Sequence, residues 1–295
     1  MYLNLSNKNL TTIPVIPNDI TELDLTNNRI ETIPQNCFPK GLLKLWLNDN
    51  KITKLPKKCF PDGLKSLNLS GNDMTSLTPN SFPTELQYLF LTDNKISKLV
   101  PNCFPSGLKR LMMANNYITE PSKKYFPDGL EHLWLCNNKI TLLTPNCFPS
   151  GLTMLSLNRN NISNPKQEYF PKELQILYMC YNGITKLSQG CFPEELQELH
   201  LSYNKITDMC KGCFPSQLRE LWLKYTGITR VNPYYLPPNL KDLHLYHNGE
   251  PVVLYYNGIP NVVYYPRELN KKVENDKRMR DDNEHVTSRK KAKIH

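Results

Sequence analysis

Three histidines, His200, His244 and His247, and the pair Cys210-Lys211-Gly212-Cys213 are the residues whose types and spacing come closest to doing chemistry in this chain. Imidazoles ligate metals and move protons near neutral pH. The Cys-x-x-Cys has Cys191 lying 22 residues before its second thiol. A zinc site wants a fourth ligand, a redox pair wants a different fold around it, and the histidines have no paired carboxylate at fixed spacing. A nucleophile elbow, a phosphate loop and the deaminase and metalloprotease spacings are all missing. The expectation is a chain with no catalytic residue, no metal and no cofactor, its histidines solvated or touching a partner. A different series stands out: Trp46, Phe90, Trp134, Tyr178 and Trp222 recur every 44 residues and include all three tryptophans. Large rings at a fixed interval suit recognition, since Trp and Tyr dominate binding hot spots and contiguous exposed strips mark interaction surfaces.

The elements that must position these rings follow from a 22-residue period. Asn stands at 28, 50, 72, 94, 116, 138, 160, 182, 204 and 248, with Thr226 as the substitute. Leu precedes it by five residues from Leu23 to Leu243, with Leu or Met three before it. Ile or Met follows two residues after it from Ile30 to Ile228, and Phe comes at ten from Phe38 to Phe214, with Leu236 closing the series and Pro following each time. In x-Leu-x-Leu-x the period is two, so the leucines point inward from a short strand and their neighbours point out. One strand per unit makes a parallel sheet. The Asn falls where the chain leaves the strand, and its amide is expected to satisfy turn backbone and the neighbouring unit. Thr226 can do this less completely, which makes that unit the expected weak point. The returning arms carry paired prolines, as in Leu143-Thr144-Pro145-Asn146-Cys147-Phe148-Pro149, which predicts extended or 3₁₀ segments with few or no full helices.

The unit L-x-x-L-x-L-x-x-N-x-I-x-x-L-x-x-x-C-F-P-x-G resembles the leucine-rich repeat family over about residues 2–250. The Pro ahead of the first Leu resembles the short repeats of bacterial effectors and of large DNA viruses, and so does an opening unit of 20 residues from Lys8 to Asn28. The resemblance implies an α/β-type solenoid with its parallel sheet on the concave face, and recognition of a macromolecular partner there.

The residue between the two leucines of each strand faces the concave side. In order these are Asp24, Trp46, Asn68, Phe90, Met112, Trp134, Ser156, Tyr178, His200, Trp222 and His244. The aromatics take every second strand, so strand spacing of about 4.8 Å puts them about 9.6 Å apart, too far to stack. No continuous ring ladder is expected; partner side chains would insert between Trp134, Tyr178 and Trp222. Tyr181, Tyr203, Tyr225, Tyr246 and His247 enrich the C-terminal end, where the anchor is expected. The other units carry mixed charge, including Glu22, Lys44, Arg110, Glu198 and Glu220, suited to a rim that steers more than it anchors. The 44-residue beat also reads as a duplicated pair of units, an ancestry that would produce alternation by itself.

The solenoid is expected over residues 1–250, a β-rich C-terminal cap with an Asn-Gly turn over 251–268, and a basic, disordered tail over 269–295. The tail carries net +4 of the chain's +9, which leaves too little charge on the solenoid for a nucleic-acid platform. Lys277-Arg278 and, eleven residues on, Lys290, Lys291 and Lys293 resemble a bipartite nuclear-import signal. Such a run attracts import receptors or nucleic acid alike. Neither a long apolar run nor a signal peptide is visible, and six of the nine cysteines share the column before Phe as packing residues. The expected setting is intracellular, cytoplasmic or nuclear, without a membrane. The reading is a non-enzymatic protein-recognition module. Its alternatives are a nucleic-acid-associated or nuclear-targeted scaffold acting through the tail, and an adaptor for a ubiquitin ligase supplied by another chain.

Overall fold

The computed structural model describes residues 1–246, 252–256 and 259–263. Among these, twelve strands hydrogen-bond in chain order into one parallel sheet, from Tyr2–Asn4 and Glu22–Asp24 through to Glu220–Lys224 and Asp242–Tyr246. The register advances by 20 residues at the first step, Leu3 opposite Leu23, and by 22 thereafter, ending at Leu221 opposite Leu243. Most strands have three residues, with the central Leu buried and its neighbours half-exposed, as in Lys44–Trp46. That is the period-two pattern of a sheet with one face on the core, and it puts the aromatic column on the open, concave side.

The inward Leu, Ile and Met columns are almost fully buried and join one continuous core. The Phe column closes its far side, with rings stacked from unit to unit: Phe38 on Phe60 at 6.0 Å, Phe60 on Phe82 at 6.3 Å and Phe104 on Phe126 at 5.9 Å. Among the described residues there is no α-helix. The returning arms are extended, with 3₁₀ turns at Lys123–Tyr125, Gln167–Tyr169 and Pro233–Tyr235. The first two follow Pro121 and Pro165, which stand where other units have a core Leu. Proline fixes φ and removes a donor, so a single tight turn replaces the extended arm.

The asparagine column is the polar skeleton of the array. Asn138 is buried; its Nδ2 donates to the carbonyls of Leu135 at 3.1 Å, Cys136 at 3.2 Å and, one unit back, Met113 at 2.9 Å. Its Oδ1 accepts the amide of Ile118 at 2.9 Å. The same pattern joins Asn50 to Leu47, Leu25 and Ile30 and Asn182 to Met179, Leu157 and Ile162. At the buried Thr226 the hydroxyl donates to Leu223 O at 2.9 Å. One hydroxyl proton cannot serve two carbonyls as the Asn amide does. Thr226→Asn is therefore expected to stabilise the last units by about 1 kcal/mol per bond gained, read as a higher urea midpoint. An unchanged or lower midpoint would show that this turn has closed around threonine.

A second sheet lies at the C-terminal end. Val252–Tyr256 pairs antiparallel with Ile259–Val263 and parallel with Arg230–Val231 on the last returning arm. The expectations for Tyr246's side chain, His247, the turn at 257–258, the remainder of 251–268 and the tail with Lys277, Arg278, Lys290, Lys291 and Lys293 lie outside the described residues.

Candidate binding face

The strand column and the turn column become aromatic over the same units. In the strand column, Tyr178, His200, Trp222 and His244 stand on adjacent strands, paired residue to residue. Their ring centroids are 4.5, 5.1 and 3.6 Å apart, and the last two pairs are nearly parallel at 14° and 16°. This corrects the expectation that no continuous ladder forms. Alternation leaves gaps of two strands, but in this region the residues in the gaps are imidazoles, flat rings that stack between the larger ones. It also removes insertion between Tyr178 and Trp222 as a binding mode, because His200 fills that space.

The turn column is the residue just before each Asn. All its members from Asn27 to Tyr225 have left-handed φ, between 51° and 65°. Asn, Asp and Gly tolerate this conformation, and they hold the slot at Asn27, Asp49, Gly71, Asp93, Asn115 and Asn137. There the side chains link by hydrogen bonds, Asn115 to Asp93 at 2.6 Å and Asn137 to Asn115 at 2.7 Å. The last four members are Arg159, Tyr181, Tyr203 and Tyr225, at φ 54°, 54°, 59° and 52°. A bulky side chain there costs about 1–2 kcal/mol. The cost is offset by stacking: Tyr181 on Tyr203 at 4.1 Å and 8°, Tyr203 on Tyr225 at 4.6 Å and 21°, with the Arg159 guanidinium 4.2 Å from the Tyr181 ring. The three tyrosines stand out in the sequence, whereas their backbone conformation and the part played by Arg159 do not. The available signal was the switch in one column from turn formers to large side chains.

Between the two ladders runs the column Cys180, Ser202 and Lys224, of which Cys180 and Ser202 are short and buried. They separate the two stacks of rings along each unit, and the Lys224 ammonium stands 4.3 Å from the Trp222 ring. On the far side of the strand ladder are Glu198, Glu220 and Asp242, the first residues of three successive strands. Glu198 accepts the Tyr178 hydroxyl at 2.9 Å and pairs with His200 Nε2 at 2.7 Å. Glu220 accepts the Trp222 indole N–H and lies 3.9 Å from His244 Nε2. The bond from His200, opposed by partial burial, holds the Glu198 carboxyl below its ordinary value. Burial, followed by Lys224, pushes His244 down from its ordinary 6.5.

Both shifts have one consequence on acidification. A depressed His is protonated first in the unfolded chain, so stability falls as pH drops below about 6.5. A depressed Glu holds its contribution above the unfolded carboxylate value and loses it as pH falls through its folded value. Unfolding midpoints are expected to decline in two stages, the first as pH falls below about 6.5. His244→Gln should shrink that first stage, and an identical pH profile in this variant would contradict the assignment.

The other named rings are set apart from this cluster. Trp46 meets Tyr2 edge-on at 6.4 Å, and Trp134 meets His132 edge-on at 5.8 Å. Phe90 sits half-buried between Asn68 and Met112 on the adjacent strands. Ser156, buried, separates Trp134 from Tyr178. Cys213 and Cys191 belong to the core, where burial pushes their thiols up to about 12 and keeps them protonated near neutral pH; Cys210 is half-buried against that core, its Sγ 3.4 Å from Leu187 O. An open cavity of about 900 Å³ along the returning arms is lined by Lys166, Glu168, Lys172 and Glu194 together with Phe148 and Phe170 of the core column.

The unit itself decides the family. Profiles of the Leucine rich repeat match residues 18–74, 85–106, 129–150 and 196–208, in phase with the 22-residue period. The chain carries leucine-rich repeats at those residues. Its fold is similar to the TLR13–ssRNA13 complex structure at 26% identity and TM-score 0.69, over 77% of this chain and 36% of that one. YopM from Yersinia enterocolitica WA-314 is 25% identical with TM-score 0.54, over 83% of this chain and 57% of that one. CroV588, a circular LRR protein, is 19% identical with TM-score 0.63, over 89% and 45%. This leucine-rich-repeat chain thus spans between about a third and just over half of those proteins. A comparison with curated proteins finds no match. Leucine-rich-repeat solenoids are typically protein-interaction scaffolds, and neighbours of this fold bind protein partners.

Proposed function

We propose that this chain is a non-enzymatic protein-recognition module whose anchor is the concave face of its last units, centred on Tyr178, His200, Trp222 and His244. The observation that carries the reading is the double ladder, two stacks of rings side by side on the solvent side of the sheet. Held by stacking and by Glu198 and Glu220, the rings lose little further freedom on binding, the condition under which aromatic contacts yield most affinity. Partner groups lie across the ring edges. Trp46, Phe90 and Trp134, with the mixed charges of the earlier units, steer and orient.

The same proposal assigns the hairpin at 252–263 as the cap of the array, since the last strand of a solenoid otherwise exposes backbone and core. It places the chain inside the cell, in cytoplasm or nucleus. The cysteine column, buried as packing side chains, fits a reducing compartment. The tail at 269–295 is assigned to import or to an acidic ligand through Lys277, Arg278, Lys290, Lys291 and Lys293. Alanine at Trp134, Tyr178 and Trp222 together should leave the fold intact and abolish capture of a specific protein. Undiminished capture by a folded triple variant would refute the concave anchor.

A further inference from the structure

The returning arms bend through a recurring tight turn, and one of these turns carries a thiol at both ends. An amide-to-carbonyl bond closes it from Cys103 to Val100 at 3.2 Å, from Tyr125 to Ser122 at 2.9 Å, from Cys147 to Thr144 at 3.1 Å and from Cys213 to Cys210 at 3.3 Å. The residue that ends the turn belongs to the column before Phe, where Cys is common. The residue that opens it is Pro34, Pro56, Thr78, Val100, Ser122, Thr144, Lys166 and Ser188 in the preceding units, and a cysteine at Cys210.

A turn of this kind sets its ends at the reach of a disulfide. Its first and last Cα atoms lie within about 7 Å of each other, and a disulfide spans Cα atoms about 4.4–6.8 Å apart. Gly212, at φ 72°, takes the left-handed third place of the turn. The side chains meet as well, the Cys210 thiol hydrogen-bonding with that of Cys213. Cys191, on the preceding arm, directs its thiol elsewhere, to the Cys213 carbonyl at 3.7 Å.

Access separates the two thiols into roles. Cys213 is buried, whereas Cys210 is half-buried and open to a reagent from solvent. Exposed Lys211 follows Cys210, and exposed Lys186 precedes Leu187, whose carbonyl meets the Cys210 thiol at 3.4 Å. Asp208 is the one carboxylate equally near along the chain, so the balance of charge favours an anionic reagent. A catalytic redox pair wants a different fold around it. A disulfide that closes a turn wants only reach and one accessible thiol.

We propose that Cys210 and Cys213 are a thiol–disulfide exchange site for a small anionic disulfide of the oxidised-glutathione class, apart from the ring face. The Cys210 thiol releases its proton to solvent, and its sulfur attacks one sulfur of the small disulfide. The S–S bond of that disulfide breaks, one glutathione leaves as the thiolate, and a mixed disulfide forms on Cys210. Cys213 then loses its proton and attacks the Cys210 sulfur, the mixed disulfide breaks, and the second glutathione leaves as the thiol. Two protein thiols are oxidised to one disulfide while one small disulfide is reduced to two thiols. Burial pushes the Cys213 thiol up to about 12, which makes the second attack the slower one, so the mixed disulfide precedes the bridge. The bridge pins the arm between Glu198–His200 and Glu220–Lys224, the strands of His200 and Trp222.

The test is incubation of the full chain with oxidised glutathione, followed by alkylation of the remaining thiols and peptide mass spectrometry. The expected product is a peptide holding Cys210 and Cys213, lighter by two hydrogens and restored by dithiothreitol, while the buried Cys103 and Cys147 stay free. Cys213→Ser should stop at a glutathione adduct on Cys210, and Cys210→Ser should lose both adduct and bridge. Each substitution installs a residue that the array already uses, Ser81 in the column of Cys213 and Ser188 in that of Cys210, which guards against misfolding. Absence of the bridge in the native chain, an unmodified Cys210 in Cys213→Ser, or a bridge from either thiol to Cys191 would overturn the inference. Reaction of Cys103 and Cys147 to the same extent would overturn it too, because the turn would then confer no selectivity.

Discussion

Asn138→Ala is expected to lower the unfolding free energy by about 4 kcal/mol, the larger of the two stability effects anticipated for this chain. The side chain serves four backbone groups across two units, those of Ile118, Met113 and Leu135 buried and that of Cys136 part-buried. Alanine removes all four partners at once, and an orphaned buried group costs ~1–3 kcal/mol, reduced where neighbouring groups share the load. Because each unit contacts only its neighbours, the damage stays local and uncouples the array at its middle. Urea unfolding followed by tryptophan fluorescence should change from one transition to two, as the halves carrying Trp46 and Trp222 melt separately. A loss under about 1 kcal/mol with a single transition would mean that the ladder contributes little beyond the leucine core. Thr226→Asn tests the same ladder in the opposite direction.

The second large effect concerns affinity. Trp222→Ala is expected to weaken capture of the protein partner by at least about thirty-fold, the ~2 kcal/mol that marks a hot spot. Trp222 is the ring on which most of the site converges. It stacks on His200 at 5.1 Å and on His244 at 3.6 Å, donates its N–H to Glu220, and carries Lys224 over its face. Its removal unlocks four neighbours as well as deleting a contact surface. The cost to folding should be small, since Trp222 stands on the solvent side and Leu221 and Leu223 hold the core. A thermal midpoint near the native value with affinity lost is the expected combination, checked by calorimetry and by titration of the purified partner. A large fall in midpoint with little change in affinity would make Trp222 a structural residue.

Much of this was legible in the residues because the same pattern recurs. The Leu pair fixes which face of each strand is buried, the Asn column fixes the turn, and the paired prolines exclude helices from the arms. The strand column departs from this at Tyr178 and Trp222: a spacing of about 9.6 Å separates alternate aromatics, but His200 and His244 are flat rings as well as titratable groups, and they complete the stack. The left-handed slot was hidden for a different reason. Asn27, Asp49 and Gly71 announce a positive φ, whereas Arg159, Tyr181, Tyr203 and Tyr225 conceal it, because their own preferences oppose the conformation that the shared turn imposes. Seen across the column, that conflict between local preference and global fold is itself a pointer to function.

The central claim is that the last units, and not the first, hold the partner. The most direct measurement is proximity capture in the cell that makes the protein, with two double variants compared at equal abundance: Tyr178→Ala with Trp222→Ala, and Trp46→Ala with Phe90→Ala. The partner should vanish from the first and persist in the second. Loss in the second with retention in the first would contradict the claim and move the anchor to the N-terminal half of the concave face.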